Sequence, residues 1–377
     1  MSWPDMPVSE VCELAVDCIN KTAPVVDYET PYKMLRTTNV RGGFVDVDNV
    51  RYVTEETFET WNRRATPQRG DVILTREAPL GDVGRLTSDD KVFLGQRLFL
   101  YRADPSKLDS LYLAYVLQSP VVQGRFRSKG FGATVQHAKV GDCENLQIPY
   151  PPLDIQKKIG YILSAYDDLI ENNRRRIQLL EESARLLYQE WFVHLRFPGH
   201  EQVKITDGVP EGWKRKPLKQ IATLNYGKAL KAEVRVPGPF PVYGSSGEVG
   251  SHEKALVTGP AIVVGRKGNV GSVYWVNKDF YPIDTVYFIS AEESSLFLYH
   301  ALQNVQFINT DVAVPGLNRD MAYSREVLVP DDKNYQRFLS EVKPIQDQVN
   351  KLQDYNLKLA QARDLLLPKL MSGELAV

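Results

Sequence analysis

The stretch that decides the fold is IQKKIGYILSAYDDLIENNRRRIQLLEESARLLYQEWFVHLR, residues 155–196, in which apolar residues recur every three or four positions. This spacing predicts one helix with a coiled-coil stripe along it. A long helix with one apolar face in water is unstable alone, so we expect a partner helix. The stripe is Ile159, Ile162, Tyr166, Leu169, Ile177, Leu180, Ala184, Leu187 and Trp191, with Asn173 as a polar interruption.

A second helix of the same kind is predicted from about Pro344 to Leu370. Pro368 and Gly373 mark its end. The simplest arrangement is an antiparallel pair, in which about 40 residues at ~1.5 Å rise give a rod of about 60 Å. The apolar positions of this second helix are Ile345, Val349, Leu352, Leu359, Ala362 and Leu366.

The segments around these helices repeat each other in the same order. GDVILTR (70–76) is followed by Gly81, and AIVVGR (261–266) is followed by Gly271 with the same step from Arg to Gly. Then LYLAYVLQS (111–119) matches LFLYHALQN (296–304), and GATVQHAKV (132–140) matches VAVPGLNRD (312–320). Each copy closes on a strand-like run into proline, LQIPYPP (146–152) and EVLVP (326–330).

The repeat predicts an α+β protein with two similar lobes separated by two long antiparallel coiled-coil-like helices and related by a pseudo-two-fold axis. We expect lobes at 1–154 and 197–333, and helices at 155–196 and 334–377. An antiparallel rod places the lobes at its opposite ends. B-DNA also has two-fold axes, and half-sites about one turn apart face the same side, so this plan suits a bipartite DNA site.

Composition narrows the class of protein. The chain has 377 residues, 43% hydrophobic and 25% charged residues and a net charge of −1, so any nucleic-acid surface must be a local patch. The start of the chain lacks the pattern of a signal peptide, and no apolar run approaches the roughly 18 residues of a membrane span. Three cysteines without a CxxC motif indicate reduced thiols. We therefore expect a cytoplasmic protein without membrane contact, metal or cofactor.

The run PPLDIQKKIGYILSAYDDLIENNRRRIQLLEESARLLYQEWFVHLRFPGHE (151–201) resembles the central conserved region of specificity (S) subunits of type I restriction–modification enzymes. The tail at 352–375, with ARDLLLPKLMSGEL, is similar to the distal conserved region of that family. One departure is EVLVPDDKNY in the second copy, where the first has IPYPPLDIQ.

The resemblance implies a sequence-specific subunit that binds double-stranded DNA. In that family the lobes are target-recognition domains, and the conserved helices dock two methyltransferase (M) subunits, which carry S-adenosylmethionine and methylate adenine. Restriction (R) subunits add translocation and cleavage. The expected role is therefore recognition of a bipartite site, without catalysis by this chain.

Basic and amide side chains at the ends of the repeated segments are candidates for DNA contact. Arg and Lys can engage guanine, Asn can engage adenine, and all of them can bind phosphates. The alternatives are a structural glycine turn at 259–271 and ordinary loops elsewhere. The first-lobe candidates are Arg76 and, in a loop at 125–139, Arg125, Arg127, Lys129, Gln136, His137 and Lys139; the second-lobe candidates are Arg266, Lys267, Asn269, Asn318 and Arg319.

Two groups on the central helix are candidates for docking the M subunits. Arg174 and Arg175 can meet carboxylates of M, contact DNA between the half-sites or form a solvated face. Trp191 and Phe192 are either an exposed anchor, since aromatic residues dominate interface hot spots, or packing between the helix and the second lobe.

No motif for catalysis is found: the chain lacks an amino-methyltransferase [DNS]PP[YFW] motif, a glycine-rich cofactor fingerprint, HExxH and GxSxG. Three alternatives stay open. The first is the specificity subunit of a related methyltransferase or type IIB-like assembly. The second is a helical-rod scaffold that does not bind DNA, which the near-neutral charge favours. The third is a stand-alone nuclease, but the sequence lacks the cluster of carboxylates that a nuclease needs.

Overall fold

The computed structural model describes residues 3–130, 136–307 and 316–377 and divides the chain into two compact units. Unit 1 comprises residues 1–172 and 355–377, and unit 2 comprises residues 173–354. Both unit boundaries fall inside the long helices. Each unit therefore contains one lobe together with part of each long helix.

Unit 1 is built around a six-stranded sheet in the order β2-β10-β7-β8-β5-β4, with a three-stranded sheet β6-β3-β9 and the pair β1-β11. The elements are β1 (Asp5–Pro7), β2 (Cys12–Asp17), β3 (Tyr32–Leu35), β4 (Val40–Arg41), β5 (Gly43–Val45), β6 (Arg51–Tyr52), α1 (Glu55–Trp61), β7 (Val72–Arg76), β8 (Leu80–Arg85), β9 (Lys91–Leu94), β10 (Leu98–Ala103), α2 (Ser110–Gln118), α3 (Pro120–Lys129), α4 (Val140–Glu144) and β11 (Gln147–Pro149). The first long helix, α5 (Leu153–Tyr188), follows.

Unit 2 has a four-stranded sheet in the order β15-β21-β18-β19, a three-stranded sheet β17-β16-β20 and the pairs β12-β13 and β14-β22. Its elements are β12 (Ile205–Thr206), β13 (Val209–Pro210), β14 (Lys214–Pro217), β15 (Asn225–Tyr226), β16 (Phe240–Gly244), β17 (Gly247–His252), β18 (Ala261–Gly265), β19 (Val273–Val276), β20 (Tyr281–Pro282), β21 (Val286–Ile289), α6 (Leu296–Asn304), α7 (Arg319–Tyr323) and β22 (Glu326–Val329). The second long helix is α8 (Asp332–Ser372).

The repeat expected from the sequence is confirmed by strand pairing. The antiparallel order β10-β7-β8 in unit 1 recurs as β21-β18-β19 in unit 2, and β1-β11 recurs as β14-β22. The sequence alignment needs one correction. The backbone N–H of Ala138 donates to Arg76 O at 3.0 Å, and that of Leu317 donates to Arg266 O at 2.7 Å. Leu317 therefore matches Ala138, one position away from the His137 with which the sequence aligned it.

Helix α5 confirms the predicted coiled-coil helix, with two differences. It ends in a π-helical turn, Gln189–Val193, before the expected end at Arg196. Leu169 is 53% exposed, while the adjacent Ile170 is buried together with Leu163. A straight helix of 3.6 residues per turn drifts relative to a strict heptad, which moves the buried stripe by one position here.

Helix α8 begins at Asp332 rather than near Pro344. Asp331 precedes it, and its carboxylate accepts the backbone N–H of Asn334 at 2.9 Å, as an N-cap does. Pro344 lies on the exposed side, where it removes one helical hydrogen bond without displacing a buried side chain. Within the described ranges, no helix is both long and apolar enough to cross a membrane.

The two long helices pair antiparallel in each unit. In unit 1, Asp167 of α5 forms an ion pair with Arg363 of α8, and Lys158 Nζ donates to Val377 O at 3.5 Å. In unit 2, the rings of Trp191 and Phe338 lie 5.9 Å apart. These contacts place the two helices side by side in opposite directions, as the sequence predicts.

His300 of α6 is buried in unit 2 and gives a pH prediction. It stacks on Tyr188 at 6.2 Å, and burial lowers its pKa from 6.5 to about 4, against a weak opposing hydrogen bond with Gln303. The unfolded chain therefore binds a proton at a pH where the folded chain excludes it. We expect this group to lower the free energy of unfolding as pH falls from 6.5 toward 4, by up to about 3 kcal/mol.

Urea unfolding of His300→Phe and of the wild-type chain across pH 4–7 checks this prediction. The difference between the two chains isolates His300 from the other groups that titrate in this range. The variant is expected to lose less stability than the wild type on acidification. Parallel pH profiles would show that His300 is protonated in the folded chain.

Candidate nucleic-acid interface

Strand β7 ends at Arg76, and β18 is followed directly by Arg266. In both units the backbone of a later segment is hydrogen-bonded to that arginine. A β-bridge pairs Glu77 with His137 in unit 1, and another pairs Lys267 with Gly316 in unit 2. The expected candidates at the strand tip and on the later segment are thus brought together in each unit. The two tips nevertheless differ in their side-chain chemistry.

The tip of unit 1 is largely occupied by internal contacts. Arg76 is half-buried, and its Nη1 donates to the backbone oxygen of Ala138 at 3.2 Å. Next to it, Arg97 forms an ion pair with Glu77 at 3.1 Å. Arg76 therefore fixes the later segment to the strand. This structural role is sufficient to explain an arginine at this position.

The expected basic loop at 125–139 is wrong in its first part, because Arg125, Arg127 and Lys129 lie on helix α3. Ser119 caps this helix and Pro120 stands in its first turn, a start signal that outweighs the flexibility expected from the glycines. Arg125 makes two hydrogen bonds to the carboxylate of Asp5, at 2.8 and 2.9 Å, and is thereby engaged within the unit.

The other basic residues of this segment are nearer the surface. Arg127 and Lys129 are exposed in the last turn of α3, where cations interact favourably with the helix dipole. Residues 131–135 lie outside the described residues. Beyond them, Gln136 is exposed and Lys139 stands at the N-cap of α4. These side chains remain candidates for DNA contact.

The tip of unit 2 has a cationic pocket, which we call the two-arginine pocket: Tyr226, Arg266 and Arg319. The guanidinium of Arg266 lies 5.1 Å from the centre of the Tyr226 ring, and that of Arg319 lies 5.0 Å from it. Both distances are within the range of cation–π attraction. The cavity here has a volume of about 160 Å³ and is also lined by Lys267 and Asn318.

Two hydrogen bonds hold this pocket in shape. Arg266 Nη1 donates to the backbone oxygen of Asp284 at 2.8 Å, and the Tyr287 hydroxyl donates to Leu317 O at 3.0 Å. Burial raises the pKa of Tyr287 to about 12, so the hydroxyl remains a donor at neutral pH. The predicted residues Arg266 and Arg319 are therefore brought together, over a tyrosine that sequence reasoning did not identify.

The remaining candidates of unit 2 have different roles. Lys267 and Asn269 are exposed at the turn after β18. Asn318 caps α7, where its side-chain oxygen accepts the backbone N–H of Asp320 at 2.8 Å. This leaves the amide nitrogen of Asn318 as the group that can reach a ligand. The sequence signal for Tyr226 is weak, a single aromatic residue in a short strand.

The expected exposed anchor at Trp191 and Phe192 is contradicted by their burial, since only 6% and 5% of their surfaces are exposed. Phe192 packs on Trp213 and Phe297 of unit 2, at ring distances of 5.5 and 5.0 Å. Large aromatic rings have a lower free energy when their apolar surface is buried in such a core than when it is exposed to water. The alternative, packing of the helix against the second lobe, is confirmed.

Arg174 and Arg175 are exposed on α5. Their side chains stand at the start of unit 2, and neither is buried in a core. Contact with carboxylates of a partner remains the hypothesis for them.

Duplicated α+β units with arginines at matching strand ends define the class: a two-lobed protein whose lobes share one scaffold and differ at the tip. Comparison with known proteins gives the family. The family described as "Type I restriction modification DNA specificity domain" matches residues 2–182 and 210–337. The chain therefore belongs to this family of type I restriction–modification specificity proteins.

Named relatives and a solved structure agree with this assignment. The type I restriction enzyme MjaIX specificity subunit of Methanocaldococcus jannaschii is 25% identical over 359 residues, which cover 87% of this chain and 82% of that protein. The type I restriction enzyme EcoBI specificity subunit of Escherichia coli is 22% identical over 157 residues, 41% of this chain and 33% of that protein. The crystal structure of the S subunit of a type I restriction–modification system from M. genitalium has the same fold, with a TM-score of 0.57 and 20% identity, covering 98% of this chain and 96% of that one.

Proposed function

We propose that this chain selects the DNA sequence for a type I restriction–modification enzyme, with each lobe reading one half of a bipartite site. The observation that carries the proposal is the duplicated tip. In both units the backbone of a later segment is hydrogen-bonded to the arginine at the end of the central strand in unit 1 and directly after it in unit 2. The scaffold is thus repeated while the side chains presented at the tip differ, as two independent readers of different half-sequences require.

The rest of the assembly is proposed on the same basis. Two M subunits dock on the long helices and supply methyl transfer, R subunits supply cleavage, and the complex works in the cytoplasm without catalysis by this chain. Support for docking comes from large apolar side chains on the outer helix surfaces: Tyr161 and Leu179 of α5 and Leu365 of α8 are 74%, 70% and 69% exposed. These residues replace Trp191 and Phe192 as the candidate anchors.

Exchange of one lobe tests the proposal. Residues 2 to about 146 are replaced by the equivalent lobe of another specificity subunit, and methylated sites are mapped by methylome sequencing of the host. We expect one half of the recognised site to change while the other half and the unread gap stay the same, because the second tip and both long helices are retained.

The matched control exchanges residues 197 to about 326 and should change the other half only. If both halves change together in either exchange, the lobes do not read independently and the proposal fails. The purified chain without M subunits should transfer no methyl groups to DNA. Methyl transfer by the chain alone would contradict the non-catalytic role.

A further inference from the structure

We propose that the two-arginine pocket of unit 2 holds one phosphate group of the DNA backbone, and that unit 1 has no such site at its tip. The inference rests on the proposed function, because it takes the DNA to lie against the strand tips. It assigns a specific task to Arg266 and Arg319: anchoring the backbone of one half-site without reading a base.

The first support is the convergence of two positive charges. The guanidinium groups of Arg266 and Arg319 lie 5.1 and 5.0 Å from the centre of one tyrosine ring. Within the described part of the chain, neither of them forms an ion pair with a carboxylate. Both side chains line the same small cavity, and an anion bound there interacts favourably with both positive charges. Among the described residues that line the cavity, none carries a carboxylate.

The second support is that the pocket is held in place before a ligand binds. The side chain of Arg266 donates to the backbone oxygen of Asp284. Leu317 lies two residues before Arg319, and its backbone N–H donates to the backbone oxygen of Arg266 at 2.7 Å. A guanidinium held over an aromatic face has its N–H groups at the ring's edge, where those not already bonded can donate to an anion. Little conformational entropy is then lost when a phosphate enters.

The third support is the contrast with unit 1, where the strand pairing identifies the matching positions. Tyr226 lies opposite Tyr287 in unit 2, and Asp17 lies opposite Phe99 in unit 1. Because Ala138 matches Leu317, the position of Arg319 is taken by Val140 in unit 1. Unit 1 thus has an aspartate and a valine where unit 2 has the tyrosine and the second arginine.

Arg76, which matches Arg266, has no second cation beside it at these positions. The matching Asp17 is an acidic residue and is already paired with Arg64. The two lobes share their scaffold, but only the second has the donor set for a backbone phosphate at this place. The unit 1 tip must therefore hold its half-site through other side chains.

A phosphate fits this donor set better than a base edge does. A phosphodiester carries a full negative charge, and its oxygens can accept hydrogen bonds from two arginine forks. The guanine edge is neutral and is satisfied by one arginine. Two guanidinium groups that line one small cavity therefore match a phosphate, and the expected consequence is affinity without sequence preference.

The test measures DNA binding by the chain assembled with its M subunits, for wild type and Arg319→Ala, over a range of salt concentrations. One duplex carries the methylated target, and a set of duplexes carries single base-pair changes. We expect the slope of log affinity against log salt to fall by about 1 in the variant. The affinity should fall by the same factor for every duplex. Lys254→Ala, which removes a charge from an exposed lysine of the same unit, is the matched control and should leave the slope unchanged.

Arg319→Gln is a second variant that retains much of the side chain, and thermal melting of both variants confirms that they are folded. If discrimination is lost at one base pair and the salt slope stays the same, the pocket reads guanine and the phosphate assignment is overturned. An unchanged slope and unchanged affinity in folded variants would also overturn it. Wild-type binding that does not distinguish the target from altered duplexes contradicts the proposed function instead, and the salt slope still tests the phosphate site.

Discussion

Replacing Phe338 by alanine should lower the free energy of unfolding by about 3–5 kcal/mol, the usual cost of emptying an aromatic site in a core. Phe338 of α8 is fully buried, and its ring lies 5.0 Å from Phe192 and 5.9 Å from Tyr188. The cavity left by the ring would lie among Tyr188, Phe192 and Phe297, which lose their packing against it. Urea unfolding followed by circular dichroism measures the change.

The matched control is Leu179→Ala, because Leu179 lies on α5 with 70% of its surface exposed. It should change the free energy of unfolding by no more than about 0.5 kcal/mol. Leu179→Ala is instead expected to weaken assembly with the M subunits. If Phe338→Ala and Leu179→Ala have equal effects on stability, the aromatic cluster does not form the core described above.

Replacing Arg363 by leucine should lower the free energy of unfolding by about 3–5 kcal/mol, because it leaves a buried carboxylate without its counter-charge. Asp167 is buried on α5, where one carboxylate oxygen meets Arg363 and the other accepts the Tyr115 hydroxyl at 2.5 Å. The single substitution retains the cost of burying the charge and removes the attraction that offsets it. Urea unfolding again measures the change.

The matched control is Arg185→Leu, which removes an exposed arginine paired with Glu182 on the same helix at 2.5 Å. Exposed pairs contribute about 0–1 kcal/mol, so a small effect is expected. The double variant Asp167→Leu/Arg363→Leu should recover part of the loss, because no charge is then left buried. If Arg363→Leu is no more destabilising than Arg185→Leu, the Asp167 carboxylate is solvated in solution.

Much of the fold could be predicted from the sequence. The stripe through Ile159, Ile177 and Ala184 predicts the first long helix, since a period near 3.6 is a local property of the chain. The order of the repeated segments predicts the shared scaffold of the two lobes. The start of α8 was placed too late, because Pro344 looks like a first-turn residue although Asp331 provides the actual cap.

The candidate site was predicted less well. Arg266 and Arg319 were identified by residue type, but Tyr226 was not, because nothing in its neighbourhood marks it. Arg125 was named as a candidate DNA contact, and the structure pairs it with Asp5, which lies at the other end of the lobe's sequence. A search by residue type finds cations, and it does not find their partners.

The sequence by itself determined the two long helices, the duplication and the family, because helical periodicity, repeat order and conserved-region resemblance are all legible along the chain. Only the tertiary structure decided which side chains are available for a partner. Trp191 and Phe192 are buried, Arg125 is paired, and Arg319 is brought to Tyr226. Burial and ion pairing depend on residues far apart in sequence, and only the packing of helices and strands brings those residues together.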